Sequence, residues 1–461
     1  MGAHVKTLFR TGIAAAAAAA LLGGCKDFLS SDAVSVDPNR PTQATLPQYV
    51  TGIQSNLWTL LGSDPQRITE LFVQQLAGGN AQYTSIDSTY AINESTTGGF
   101  NTGLYGGGGL IDIRKVEVGS AAVGDSLTLG IAQVDEALLM GTGADLFGNL
   151  VYSQAYKGAN PTLDPQLTVY DSVQAVLSRA VVNLSATGST NTGPGGADLV
   201  YCNGCGSAAS AANRTTQRKS WLALAHTLKA RFYLHTAKVR ANAYAMALPE
   251  AQQGIMAASG NYAAVFSGNA NEQNLYYQFE QARPSYIIPN PTFINFMKAR
   301  NDPRVTAYFT ADLTDLSSTI NDAAASQQFV TVQENLLDLA ESANRTGNDA
   351  AALTALNAEQ TEQGVALTAA GTTGATLLKA ILDERYIAQF PNIEVWNDYK
   401  RNCYPNLTPT AAGKKIPARL FYDTNERQTN TNIPAPQNEP VRNATDPAAT
   451  TDPFGNVCLG Q

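Results

Sequence analysis

The sequence predicts a mainly α-helical fold in which paired helices carry an irregular, loop-rich lobe. Three observations lead there. Apolar residues recur at helical spacing in many separate segments, and Gly-, Asn- and Thr-rich stretches interrupt them. Only one short run, Tyr276-Tyr277-Gln278-Phe279, reads as a strand. At 461 residues and 44% hydrophobic content the chain can bury a large core, and 15% charged residues leave a mostly neutral polar surface.

The chain opens with Lys6 and Arg10, then an alanine-rich apolar run from Ile13 to Leu22, then Leu22-Gly23-Gly24-Cys25. A basic stretch, an apolar stretch of about ten residues and a small-residue cleavage site describe a secretory signal over 1–24. The run is shorter than the roughly 20 residues a spanning helix needs. A cysteine directly after Leu-Gly-Gly is the pattern of a bacterial lipobox, which makes Cys25 the lipidated N-terminus of the mature protein. The alternative is an ordinary signal with a chance cysteine. Residues 25–45, punctuated by Pro38 and Pro41, read as a flexible tether to one domain over 46–461.

Helices are expected over Leu46–Leu61 and Ile68–Leu76. Ala77 to Gly109 is broken by glycines and reads as a long loop, a class that is often functional. Further helices are expected over Leu129–Met140, Val169–Leu184, Arg218–Val239 and Ala245–Ala257, with 185–217 a loop. Ile287 to Pro291 reads as an extended turn and Phe293–Arg300 as a brief helix. The last helices are Val330–Asn344, Ala350–Leu367, Leu377–Gln389 and, beyond Pro391, Ile393–Arg401; coil follows from Tyr404. Antiparallel helix pairs repeated along a chain suggest a tetratricopeptide-like architecture, although no fixed period is visible in the letters.

Four cysteines besides Cys25 form an even set in an oxidising compartment. Cys202 and Cys205 can close a small loop, and Cys403 can hold the tail through Cys458. Zinc is the alternative, but it needs a second close pair. A net charge of −8 argues against nucleic acid. No nucleophile elbow, zinc-protease motif or phosphate loop is present, and His226 and His235 lie nine positions apart, off ligand spacing. No cofactor or catalytic residue is assigned, although carboxylate pairs for glycoside hydrolysis remain open.

A sugar-binding surface needs aromatic faces to stack on rings and amides or carboxylates to bond hydroxyls. Tyr83, Tyr90, Asn101 and Tyr105, inside the Gly-rich stretch, form a first candidate cluster; Tyr276, Tyr277 and Tyr286 form a second. Trp58, Trp221 and Trp396 lie on helical faces and read as core. The charges of Glu384, Arg385, Asp398 and Arg401 read as ion pairs between helices.

Four segments carry a family resemblance: Asp145-Leu146-Phe147-Gly148-Asn149-Leu150-Val151-Tyr152-Ser153-Gln154-Ala155; Asn301-Asp302-Pro303-Arg304; Asp383-Glu384-Arg385-Tyr386 with Trp396 to Arg401; and Ile416 to Leu420 with Tyr422, Glu426 and Asn430. In that order they resemble the SusD/RagB family of nutrient-binding lipoproteins, in a divergent branch, since Val151 stands where the family usually has Pro. The resemblance implies tetratricopeptide-like helix pairs with a binding lobe. It also implies a lid-like role over a TonB-dependent, SusC-like outer-membrane transporter and a glycan or, less often, peptide ligand. Cys25-Lys26-Asp27 resembles the family's surface-export address, which implies a lipid anchor in the outer membrane, facing outward. A peptide binder of the same architecture and a helical envelope scaffold are the alternative functions.

Overall fold

The computed structural model describes residues 44–461, so the expected signal segment, Cys25 and the expected tether up to residue 43 lie outside the described residues. The chain after them is helical with four short strands. Helix α1 spans Leu46–Gly62 and α2 Asp64–Phe72, with Pro65 in the first turn of α2, where a missing N–H costs nothing. Strand β1 is Leu76–Gly78.

The stretch expected to be a loop contains two helices, α3 over Ala81–Thr89 and α4 over Gly98–Tyr105. Its glycines sit at the ends and at close approaches: a Cβ at Gly103 would run into the Leu60 and Asn56 side chains of α1. Helix α5, Leu110–Val123, was not expected from the sequence; its core-facing residues are Leu110, Ile113 and Val116, and its outer face carries Val118 and Val123 exposed to solvent. An apolar residue on each side blurs the amphipathic signal.

Helix α6, Ser126–Phe147, is buried along nearly its whole length and round its whole circumference. It packs against α5 on one side and α7, Gln166–Ser185, on the other. A helix so enclosed needs small residues where neighbours press closest, and a Cβ on Gly141 would overlap the Phe232 ring. Phe232 belongs to α8, Ala211–Leu234, which starts seven residues earlier than expected because the Ser210 hydroxyl accepts the Asn213 N–H and caps it. Helix α9 is Ala243–Ala251.

Strand β2, Tyr262–Ala264, pairs antiparallel with β4, Gln327–Val330. Tyr276 to Phe279 is not a strand. It lies in helix α10, Leu275–Ala282, where the Asn274 side chain accepts the Tyr276 and Tyr277 N–H groups and Tyr276 and Phe279, three apart, turn inward. Strand β3, Ile287–Pro289, pairs antiparallel with β1 and joins the two loop-rich segments across more than two hundred residues of chain. Helices α11, Pro291–Lys298, and α12, Val305–Tyr308, follow. The last pairs are α13, Val332–Arg345, with α14, Asp349–Glu362, and α15, Gly374–Ala388, with α16, Glu394–Asn402. The expected C-terminal coil holds one short helix, α17, Thr424–Thr429.

Disulfides join Cys202 to Cys205 and Cys403 to Cys458. Both pairs of sulfurs are consumed, which removes the thiolates a zinc site would use. No described helix is long and apolar enough to cross a membrane.

Candidate ligand-binding surface

The candidate tyrosines separate into three places. Tyr83, Tyr276 and Tyr286 fall in one region: the Tyr83 ring lies edge-on to Phe279 at 5.4 Å and the Tyr286 ring edge-on to it at 6.5 Å, with Tyr276 three residues before Phe279 on α10. Arg67 stands over the same ring at 4.3 Å. Tyr83 donates to Asp64 at 2.8 Å and Tyr276 donates to Glu70. The first two rings are only 3% and 2% exposed, so they offer no face to a sugar; Tyr286 is half-buried against the core. Burial pushes the Glu70 carboxyl up to about 8, against the hydrogen bonds from Tyr276 and Gln66. This is a packing cluster.

Tyr90 is mostly buried and lines a different cleft, beside Ile416 and Arg419 of the C-terminal segment. It caps α3 in the left-handed conformation (φ 53°), its ring meets Phe72 edge-on, and its hydroxyl oxygen accepts the Thr410 N–H at 3.0 Å. Tyr277 lies half-buried on α10.

Asn101 and Tyr105 differ. Helix α4 brings Tyr105 beside the loop that follows α6, where it meets Tyr156, a residue the sequence reading did not single out, and sets Asn101 beside Glu426. Tyr156 is 48% exposed and its hydroxyl donates to the Tyr105 carbonyl at 2.6 Å. Its backbone is left-handed (φ 66°), a conformation that costs a non-glycine residue about 1 kcal/mol or more and is often kept at functional positions. Arg114, which donates to the Tyr152 carbonyl at 3.1 Å, stands 5.9 Å from the ring centre. Tyr105, Tyr156, Ala155, Pro161, Glu426 and Asn430 line a cavity of about 250 Å³.

The polar side of this cavity comes from α17. The Glu426 carboxyl is pushed up to about 7 by burial and by nearby Asp423, while a hydrogen bond with Asn101 pulls it back. Near neutral pH it therefore both donates and accepts. The Asn430 side chain donates to the Pro161 carbonyl at 2.9 Å, and Asn160 accepts the Thr431 N–H at 2.9 Å, which ties α17 to the Tyr156 loop. An exposed ring face beside an amide and a near-neutral carboxyl suits a ligand with an apolar ring and many hydroxyls. The sequence did offer one signal for Tyr156: an aromatic placed directly before Lys157-Gly158-Ala159-Asn160-Pro161, a run of turn formers.

The conspicuous charged residues serve the core. Arg385 pairs with Asp338 at 2.6 Å and Asp398 at 3.1 Å, Arg401 with Glu341 at 2.5 Å, and Arg304 with Asp302 at 2.6 Å and Glu384 at 2.5 Å. The flanking arginines hold the Glu341 carboxyl far below the usual range despite its burial. Asp145, His235 and Glu394 stand close enough to share a metal ion. Yet both imidazole nitrogens already face a carboxylate, Nδ1 to Asp145 at 2.7 Å and Nε2 to Glu394 at 2.9 Å. Those two carboxylates hold the imidazolium up to about 10 against the effect of burial, so the trio is an internal ion pair.

A family model described as starch-binding and associating with the outer membrane matches residues 38–369. The chain belongs to the SusD-like family. Solved SusD-like structures share its fold. A chitin-binding SusD homolog from Flavobacterium johnsoniae aligns over 88% of this chain and 99% of its own, with a TM-score of 0.70 at 18% identity. A SusD homolog from Bacteroides uniformis aligns over 87% and 99%, with a TM-score of 0.67 at 17% identity. A SusD/RagB family protein from Bacteroides thetaiotaomicron aligns over 85% and 95%, with a TM-score of 0.63 at 17% identity. No curated protein matches the sequence. The helical SusD-like fold is thus established, and the family is one of outer-membrane-associated binding proteins. Several of the segments that resemble this family coincide with the ionic core: Asp145, Arg304, Glu384, Arg385 and Arg401 all pair inside it.

Proposed function

We propose that this SusD-like protein captures a neutral oligosaccharide at the Tyr105–Tyr156–Glu426 cavity and passes it to a TonB-dependent, SusC-like transporter. It does so from the cell surface, held by lipid on Cys25 after removal of residues 1–24, with 25–45 as the tether to a domain over 46–461. The observation that carries the binding role is the half-exposed Tyr156 ring beside the Asn101–Glu426 pair. The starch-binding description of the family and the chitin-binding homologue support a glycan as ligand. The cavity offers hydrogen bonds and a stacking face, and the protein acts by binding without turnover.

Calorimetric titration with malto- and chito-oligosaccharides tests this. Binding to one series is expected, and Tyr156→Ala should weaken it about tenfold, the loss of about 1.4 kcal/mol of ring stacking. Unchanged affinity in Tyr156→Ala, or release of reducing sugar by the pure protein, contradicts the proposal.

A further inference from the structure

A second and larger cleft lies on the C-terminal segment, where the bridge between Ala418 and Arg442 sets two stretches of chain side by side. It encloses about 600 Å³, within the range that holds an extended small ligand. Its lining carries three cationic side chains, Lys415, Arg419 and Arg442, and one acidic side chain, Glu439. That excess of positive charge is local, in a chain whose net charge is −8.

The single carboxylate is already engaged: Glu439 accepts from Arg419 and, at 2.8 Å, from Arg427. Two guanidinium N–H groups in the lining, Arg419 Nε and Arg442 Nη2, are buried without a hydrogen-bond partner. A buried charged donor left unpaired costs at least as much as a neutral one. Arg442 donates through Nε only to the Asp446 carbonyl, and the Asp446 carboxylate turns instead to Lys400 at 3.4 Å. Burial alone pulls the Arg442 guanidinium below the ordinary arginine value, with Asp446 opposing. The lining is mostly apolar elsewhere: Val441 is 85% exposed, flanked by Pro440, and Pro417 also lines the cleft.

From this cleft we infer a second binding site, for a carboxylate-bearing sugar, in which Arg442 and Lys415 hold the uronate carboxylate and the Val441–Pro440 rim packs against the ring. Guanidinium recognises a planar carboxylate through paired N–H donors, and the apolar rim favours a sugar ring over a small inorganic anion. The inference takes from the proposed function only that glycans are the ligand class; the carboxylate requirement comes from the cleft itself.

Titration with a galacturonic acid oligomer, its carboxyl-reduced neutral counterpart and an acidic peptide of equal charge tests the site. The uronate oligomer should bind at least tenfold tighter than either comparison. Arg442→Gln should weaken it about tenfold or more, and Lys415→Gln, a change at the exposed rim, should weaken it severalfold with the fold intact by circular dichroism. Tyr156→Ala should leave uronate binding unchanged. Equal binding of the neutral oligomer, preference for the peptide, or insensitivity to both cleft variants overturns the assignment. Neutral oligosaccharide binding without uronate binding overturns this site alone, whereas failure of every glycan overturns the proposed function.

Discussion

His235 sits between Asp145 and Glu394, with Tyr170 donating a further hydrogen bond to Asp145. Because the folded state holds its proton up to about 10, against an ordinary value of 6.5, it contributes stability with a definite pH signature. That contribution is fully present below about pH 6.5 and is lost as pH rises through about 10. His235→Leu removes the charge that two buried carboxylates share. Arg231 faces Glu394 at 3.5 Å and compensates part of the loss, so destabilisation of about 3 kcal/mol is expected. Urea unfolding across this pH range checks both statements: the gap between wild type and variant should be largest at the acidic end and narrow toward alkaline pH. A gap independent of pH would mean that His235 is held neutral. From sequence alone His235 stood out only as lying off ligand spacing from His226; its partners lie 90 and 159 positions away, beyond the reach of any local pattern.

At the scale of elements, the C-terminal segment after α16 has little regular structure and is held by its side chains and by Cys403–Cys458, which closes a separation of 55 residues. Loop-closure entropy assigns about 4 kcal/mol to a crosslink of that span and about 1.5 kcal/mol to one as short as Cys202–Cys205. Replacing Cys403 and Cys458 together by Ala should therefore cost at least 2 kcal/mol more than replacing Cys202 and Cys205, as read by denaturant unfolding. The amphipathic helices were legible because one apolar stripe per helix is a local signal. Tyr276 to Phe279 was misread as a strand because four aromatic-rich residues fit either period; the deciding group was the preceding Asn274, whose side chain caps the helix. The 77–109 stretch was misread because glycine marks both loops and close packing, and α3 and α4 use it for packing.

On the scale of the molecule, long-range contacts divide the work. Segments that resemble the SusD-like family supply much of the buried ionic core, which is why fold was legible and ligand was not. The candidate site draws α4, the loop after α6 and α17 together from positions near 100, 156 and 430. The sequence reading named Tyr105, which lines this cavity, and Asn101, which stands beside Glu426. It did not see that Tyr83, Tyr90 and Tyr276 would turn inward, because a tyrosine looks alike in a core and on a surface until its neighbours in space are known. Hydrogen–deuterium exchange with and without a saturating neutral oligosaccharide tests the central claim most directly. Slower exchange is expected in 101–105, 152–161 and 424–432, with little change around Tyr83 and Tyr276. Protection confined to the helix pairs α13–α14 and α15–α16, with the Tyr156 loop exchanging as before, would contradict the account.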